Sequence, residues 1–261
     1  MTNTPYRHLD DKKLPTEDEQ LLESPPPLRP EQLFLKSDSW RVLRIMGEFV
    51  WGFDNLADVR DGVTIFGSAR TTPEDPYYPR AVETARLLAQ AGIPVITGGG
   101  PGIMEAGNRG AIEGGGLSIG CNIELPFEQG SNAYLSRSLN FKFFFVRKMM
   151  FVKYSTAFVV FPGGYGTLDE LFEALTLIQT GKVKGFPVIL FGADYWSGLV
   201  EWLTRTVAAE RKINPGDLQL FRVTDDPEEA ARIVIEARGG GPDDTVSAPP
   251  HTSEFQFGRK A

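Results

Sequence analysis

Cysteine and histidine are almost missing from this 261-residue chain, which has one of the former and two of the latter. With Cys121 alone no intramolecular disulfide can form, and a reducing compartment is the natural setting. His8 and His251 both fall in polar or proline-rich end segments. A histidine general base, a Ser-His-Asp triad and a histidine-ligated metal are therefore not expected. Basic charge is also scarce: 27 Lys and Arg stand against 34 Asp and Glu, a net charge of -7. That balance lacks the footprint needed to neutralise a nucleic-acid polymer, so any nucleotide bound should be small. No apolar run approaches the ~20 residues that span a bilayer, and residues 1–30 are too polar for a signal peptide. A cytoplasmic protein that touches no membrane is expected, with its chemistry left to carboxylates, arginine and backbone.

What is present is enough apolar sequence, 41%, for one large core. Residues 1–30 carry Pro25-Pro26-Pro27 and many charges, and residues 239–261 run from Gly and Pro into Ser, Thr and Pro; both read as disordered tails. Residues 31–238 read as a single domain. An amphipathic helix over 39–58 precedes a buried strand at Gly62–Gly67, after which helices and strands alternate. Helices are expected at 78–91, 102–114, 143–154, 168–180, 195–210 and 227–237. Strands are expected at 94–97, 117–123, 157–161, 187–191 and 220–223. Short connections between alternating elements define an α/β class: a Rossmann-like, doubly wound, mostly parallel sheet with helices on both faces.

In such sheets ligands sit beyond the carboxyl ends of the strands, and three glycine clusters fall there: Gly67-Ser68-Ala69-Arg70, Gly98-Gly99-Gly100-Pro101-Gly102 and Pro162–Thr167. A single glycine turn is a weak signal, whereas three in register point to one crevice. Gly163, Gly164 and Gly166 let backbone approach an anion, and the unpaired N–H groups of the following helix would hold a phosphate. Glu170 is placed in the first turn of that helix, beside the ligand. Gly67-Ser68-Ala69-Arg70 lacks the Gly-x-Gly-x-x-Gly spacing of a nicotinamide dehydrogenase.

Pro162-Gly163-Gly164-Tyr165-Gly166-Thr167-Leu168-Asp169-Glu170 resembles the Pro-Gly-Gly-x-Gly-Thr-x-x-Glu pattern of the LOG ("Lonely guy") family, nucleoside 5'-monophosphate phosphoribohydrolases long labelled "possible lysine decarboxylases". The resemblance extends to Gly67-Ser68-Ala69, to Gly98–Ala106 and to Arg147-Lys148-Met149-Met150, covering roughly residues 62–210. Phe143-Phe144-Phe145-Val146 precedes the Arg-Lys pair where members nearest the plant enzymes often carry Met-His; with the long tails and the extra N-terminal helix, this is similar to the larger bacterial branch. The resemblance implies that Arg147 and Glu170 are catalytic, that no cofactor is needed, and that the chain is a homodimer or higher homo-oligomer. It also implies the reaction: hydrolysis of an N-glycosidic bond in AMP or an N6-modified, cytokinin-type AMP, giving free base and ribose 5-phosphate. The alternative is a non-hydrolytic carrier of a nucleotide or of the molybdenum cofactor. A pyridoxal-phosphate decarboxylase would need a Schiff-base lysine; Lys148 is the nearest candidate, with no cofactor pocket legible around it.

The candidate binding residues are Ser68, Gly99, Gly100, Met104, Lys148, Gly163, Gly164, Tyr165, Gly166 and Thr167. Several have a plainer reading beside the functional one. Thr167 is either the N-cap of its helix or a phosphate donor. Ser68 makes either a local turn bond or a ligand contact. Lys148 is either structural or a phosphate contact. Glu105 either satisfies its helix dipole or accepts from a ribose hydroxyl, and Glu173 is either solvated or a general acid. The aromatic helix around Arg147 suits a core helix or a subunit interface.

Overall fold

The computed structural model describes residues 16–22, 38–125 and 130–239. Among them seven strands form one sheet: β1 (Gly62–Phe66), β2 (Val95–Thr97), β3 (Ser118–Ile123), β4 (Arg137–Phe141), β5 (Ser155–Val160), β6 (Val188–Phe191) and β7 (Phe221–Thr224). Every pairing is parallel and the order is β4-β3-β2-β1-β5-β6-β7. The helices are α1 (Glu17–Leu22), α2 (Asp38–Asn55), α3 (Tyr77–Gln90), α4 (Ile103–Glu113), α5 (Phe144–Tyr154), α6 (Tyr165–Gln179), α7 (Ala193–Trp202) and α8 (Pro227–Gly239).

β1 and β6 are buried at every position, as expected where helices cover both faces of a parallel sheet. Alternation along the strands divides the apolar side chains between two cores. Phe66, Phe158, Val160 and Leu190 face α5 and α6 through Met150, Phe151 and Leu171. Val63, Ile65, Val159 and Phe191 face α3, α4 and α8 through Ala85, Leu88, Ala106 and Val234. The α/β class and the doubly wound arrangement are thus as read from the sequence, and the sheet is wholly rather than mostly parallel.

Two elements were not legible. β4 is an edge strand, and only Leu139 and Phe141 of its five residues are buried, which is too short an alternation to stand out. α1 lies within the segment expected to be a disordered tail. Its Glu17 pairs with Arg44 of α2 at 2.8 Å, and its Asp18 accepts a hydrogen bond from the Phe144 N–H at the start of α5 at 3.0 Å. The rest of both tails, with His8 and His251, lies outside the described residues.

The chain winds outward from β1 to β4, then returns to place β5 on the other side of β1. The switch point therefore falls between β1 and β5, and such points leave a crevice beyond the strand ends. The loops there are tied together: Ser68 N–H donates to the Pro162 carbonyl at 2.9 Å, and Ile103 N–H donates to the Ser68 carbonyl at 3.0 Å. A buried polar network holds the loop after β2. Thr97 donates to Asn108 Oδ1 at 2.6 Å, and Asn108 Nδ2 donates to Ser118 at 2.9 Å. Asn132 Nδ2 bonds both Asn108 Oδ1 at 2.9 Å and the Gly100 carbonyl at 3.0 Å. Asn108→Ala would strand these buried partners, so its urea midpoint should fall by the equivalent of about 2–4 kcal/mol. A change under ~0.5 kcal/mol would show that the network does not hold the loop.

Candidate functional site

Glu170 is carried by α6, with only 4% of its surface exposed. Its Oε2 is buried without a hydrogen-bond partner. Burial pushes its pKa up to about 7, against the opposing pull of Lys148 and Arg147 and with a further push from Glu173 and Asp169. α6 begins at Tyr165 rather than at 168, because Gly164 takes the N-cap position without a side-chain bond. Glu170 accordingly stands in the second turn, not the first, and desolvation rather than the helix dipole governs its charge.

Arg147 projects from α5 into the same region. Its guanidinium lies 5.0 Å from the Phe144 ring and 5.5 Å from the Phe151 ring, and its Nε is buried without a partner. Burial lowers its pKa, while Glu170 is the first of the carboxylates that support its cation, with Asp18 and Asp169 after it. Arg147 and Glu170 thus share an electrostatic field without forming an ion pair. Two opposed groups with unsatisfied buried atoms are what a site keeps for a ligand rather than for its own stability. Met104, in the first turn of α4, completes this corner. A Cβ added at Gly98 would clash with Met104 Sδ at 2.7 Å and would lie in ordinary contact with Arg147 Nη1 at 3.8 Å, so Gly98 is what admits the Met104 side chain beside Arg147.

The glycine turn after β5 has an inner and an outer half. Gly163 and Thr167 are buried, and a Cβ at Gly163 would collide with the Thr167 hydroxyl. Gly164, Tyr165 and Gly166 are exposed, Tyr165 to 92%. Nothing lies within 4 Å of a Cβ built at Gly164 or Gly166, so there is room above the helix N-terminus. Thr167 is the third residue of the helix, not its N-cap.

Other candidates resolve towards their plainer readings. The Ser68 hydroxyl accepts from the Arg70 N–H at 3.0 Å, a local turn bond. Glu105 accepts from the Tyr78 hydroxyl at 2.8 Å. Lys148 spans to α6 and pairs with Asp169 and with Glu173, each at 3.0 Å. Burial acts against its ammonium, but the bonds to Glu173 and Asp169 outweigh it and raise its pKa. Gly99 and Gly100 are buried; Gly99 has φ +72 and donates its N–H to Thr97 Oγ1 at 2.9 Å. Asn122, turned so that its amide nitrogen donates, reaches the carbonyls of Gly98 and Gly99 at 3.1 and 3.2 Å.

Asn108 of α4, Asn122 of β3 and the loop residue Asn132 were missed by sequence reasoning, because nothing in the sequence marks which asparagine will help to hold the loop after β2. Asp18 and Glu48 were missed as well. Glu48 accepts from the Lys142 and Phe143 N–H groups at 2.6 and 3.1 Å, so two carboxylates distant in sequence cap the helix that carries Arg147. Among the described residues no group of three His, Cys, Asp or Glu could hold a metal ion, and no helix is long and apolar enough to cross a membrane.

An open α/β sheet with glycine loops gathered at its switch point, together with the buried Glu170 and the half-buried Arg147, has the features of a site for a small anionic ligand. Comparison with known proteins narrows the class. The family model described as "Possible lysine decarboxylase" matches residues 104–234. The chain belongs to this family, the LOG family, whose curated members include cytokinin riboside 5'-monophosphate phosphoribohydrolases. A probable enzyme of that name from Oryza sativa subsp. japonica is 32% identical over 150 residues, which is 56% of this chain and 60% of the rice protein. An Arabidopsis thaliana cytokinin riboside 5'-monophosphate phosphoribohydrolase is 30% identical over 153 residues, 56% of this chain and 68% of that one. Among solved structures, the X-ray structure of TM1055, a structural-genomics target, aligns with a TM-score of 0.53 at 24% identity, covering 67% of this chain and 99% of that one. The molybdenum cofactor binding protein of Rippkaea orientalis aligns with a TM-score of 0.51 at 20% identity, covering 68% and 96%. These two likenesses show the shared fold alone.

The buried carboxylate has a consequence for stability. Because the folded-state pKa of Glu170 lies near 7, above its ordinary 4.5, the folded chain holds the proton more tightly than the unfolded chain. Ionising Glu170 therefore works against folding from pH 4.5 upward, and in full above pH 7. Glu170→Gln should be more stable than the parent at pH 8 by on the order of 1–3 kcal/mol in urea titrations, with the advantage shrinking towards pH 4.5. A destabilised variant at pH 8 would contradict this. Gly164→Val tests the open space above α6. With φ -91 and ψ -153 at that residue the backbone accepts a side chain, so thermal stability should change little. Affinity for a nucleoside monophosphate should fall roughly tenfold or more as the valine fills the anion's place; unchanged affinity in calorimetry would remove the cradle.

Proposed function

We propose that this chain hydrolyses the N-glycosidic bond of a nucleoside 5'-monophosphate of the AMP or N6-modified AMP type. The oxygen of water joins C1', the bond from C1' to the base nitrogen breaks, and the base leaves with a proton while ribose 5-phosphate remains. The observation that carries this reading is the buried Glu170 carboxylate, with one oxygen lacking a partner, in the electrostatic field of Arg147 and on a helix whose N-terminus is open.

As the base departs, positive charge builds on the ribose. An ionised carboxylate in a desolvated site stabilises that charge far more than it would in water. A pKa near 7 lets Glu170 stand as carboxylate in the transition state and still accept the proton of the attacking water. Glu170 lies five residues beyond Tyr165, about 7.5 Å along the helix axis at 1.5 Å per residue. That spacing is comparable with the span from phosphate to C1' in ribose 5-phosphate. The phosphate would then rest at the α6 N-terminus while Arg147, whose guanidinium cannot readily release a proton, orients the ribose or phosphate. Lys148, held between Asp169 and Glu173, is engaged as a structural clamp rather than as a free amine for a Schiff base. The names of the curated relatives support the same substrate class.

The reading includes a homodimer in the cytoplasm. Val42, Leu43, Met46 and Val50 of α2 are exposed, as are Phe144, Phe145 and Met149 of α5, and the Phe49 and Phe145 rings lie 6.5 Å apart where the two helices meet. An apolar face of this kind suits a second copy of the chain.

Chromatography of reactions with AMP, N6-isopentenyl AMP, CMP and the matching nucleosides provides the test. Free base and ribose 5-phosphate should appear from a monophosphate and not from its nucleoside. The kcat/KM profile should fall on the acid side with an apparent pKa near 7 as Glu170 takes up a proton. Glu170→Gln should lose turnover by roughly 10²–10⁴-fold and keep nucleotide affinity. Turnover at the parental rate in that variant would end Glu170's assignment. Monophosphate binding with no base released from any substrate would establish a non-hydrolytic nucleotide carrier instead.

A further inference from the structure

Gly163, at the inner edge of the glycine turn, is held from two sides. Beneath it lies Thr167, whose side chain fills the space a Cβ would need. From the other direction the Tyr195 hydroxyl donates to the Gly163 carbonyl at 2.6 Å, across 32 residues of sequence. Tyr195 comes from α7, after the next strand of the sheet, and none of the glycine motifs includes it.

The tyrosine stands on a rigid base. Its ring meets Trp196 edge-on at 4.9 Å and 87°, and Trp196 is buried with its indole N–H donating to the Phe191 carbonyl at 3.1 Å. The start of α7 is pinned to the strand ends: Gly192 N–H donates to the Thr224 carbonyl at 2.9 Å, and Ala193 N–H donates to Asp225 Oδ1 at 3.0 Å. The peptide joining Gly163 to Gly164 is planar, so its C=O and N–H point in opposite directions. A hydroxyl that fixes the Gly163 carbonyl on one side therefore fixes the Gly164 N–H on the other. Without it, a peptide between two glycines is among the freest in the chain.

We propose that Tyr195 is a positioning residue that presets the Gly163–Gly164 peptide, so that the turn meets the substrate's phosphate already oriented. This rests on the reading that the turn takes phosphate. Its signature is a preference: the phosphorylated end of a ligand should gain from Tyr195 and the base and sugar should not. Preorganisation of this kind acts on ligand affinity by removing ordering that binding would otherwise require.

Tyr195→Phe keeps the ring on Trp196 and removes only the hydroxyl. Calorimetric titrations with AMP, ribose 5-phosphate and adenosine, with thermal melts as a check on folding, read the effect without requiring turnover. The Kd for AMP and for ribose 5-phosphate should rise roughly threefold to tenfold, while that for adenosine stays put. In steady-state assays KM should rise by more than kcat falls, and the acid limb of the pH profile should not move. Unchanged AMP affinity would overturn the assignment, and so would an equal loss for adenosine. If the parent binds AMP and releases no base, the hydrolase reading fails while the Tyr195 result still decides this proposal. If the parent gains nothing from a ligand's phosphate, both fall.

Discussion

A parallel sheet buried on both faces has only its strand ends from which to offer backbone polar groups, and the architecture of this chain follows from that constraint. β1, β5 and β6 are wrapped by helices on each side, so side chains along their length are committed to packing. Where the winding direction reverses, between β1 and β5, the loops diverge to opposite faces and leave space. The glycines after β1, β2 and β5 allow three loops to approach one another there, and hydrogen bonds through Ser68, Pro162 and Ile103 lock them together. The meeting of these loops is a product of topology, and the glycines allow their close approach.

Beside these loops the fold places an ionisable group that its own stability disfavours. Glu170 is desolvated, lacks a partner for one oxygen and sits among Asp169, Glu173, Arg147 and Lys148. Lys148 neutralises its two neighbours on α6 and moderates the field that they create. Arg147 is steadied by aromatic rings and by its helix, whose first N–H groups are capped by Glu48 from α2 and Asp18 from α1. Both capping carboxylates have raised pKa values, chiefly through burial. Lys148 and the start of α5 are thus engaged, while Glu170 Oε2 and Arg147 Nε are left without partners, as expected of groups kept for a ligand rather than for stability.

Much of this was legible in the chain. Gly62–Phe66 and Val188–Phe191 read as buried strands because they are short apolar runs between breakers. The glycine clusters fell beyond strands as required, and Glu170 bears on the Arg147 cation through its charge. Other positions took their definition from packing. Thr167 reads as a helix cap or a phosphate donor by its type, yet Gly164 takes the N-cap position, and that moves Thr167 inward and Glu170 into the second turn. Lys148 reads as either structural or a phosphate contact, and its ion pairs with Asp169 and Glu173 depend on α5 and α6 lying side by side. β4 and α1 carry too few apolar residues to announce themselves.

By itself the sequence determined the class of fold, the position of the glycine turns and the lack of any histidine between residues 9 and 250, because periodicity, composition and local backbone freedom are properties of short stretches. The strand order, the burial of Glu170, the hydrogen bonds made by Asn108, Asn122 and Asn132, and the reach of Tyr195 to Gly163 were decided only by the tertiary structure. Each joins residues from different parts of the chain, and the charge state of a carboxylate depends on what surrounds it in space, which no local pattern records.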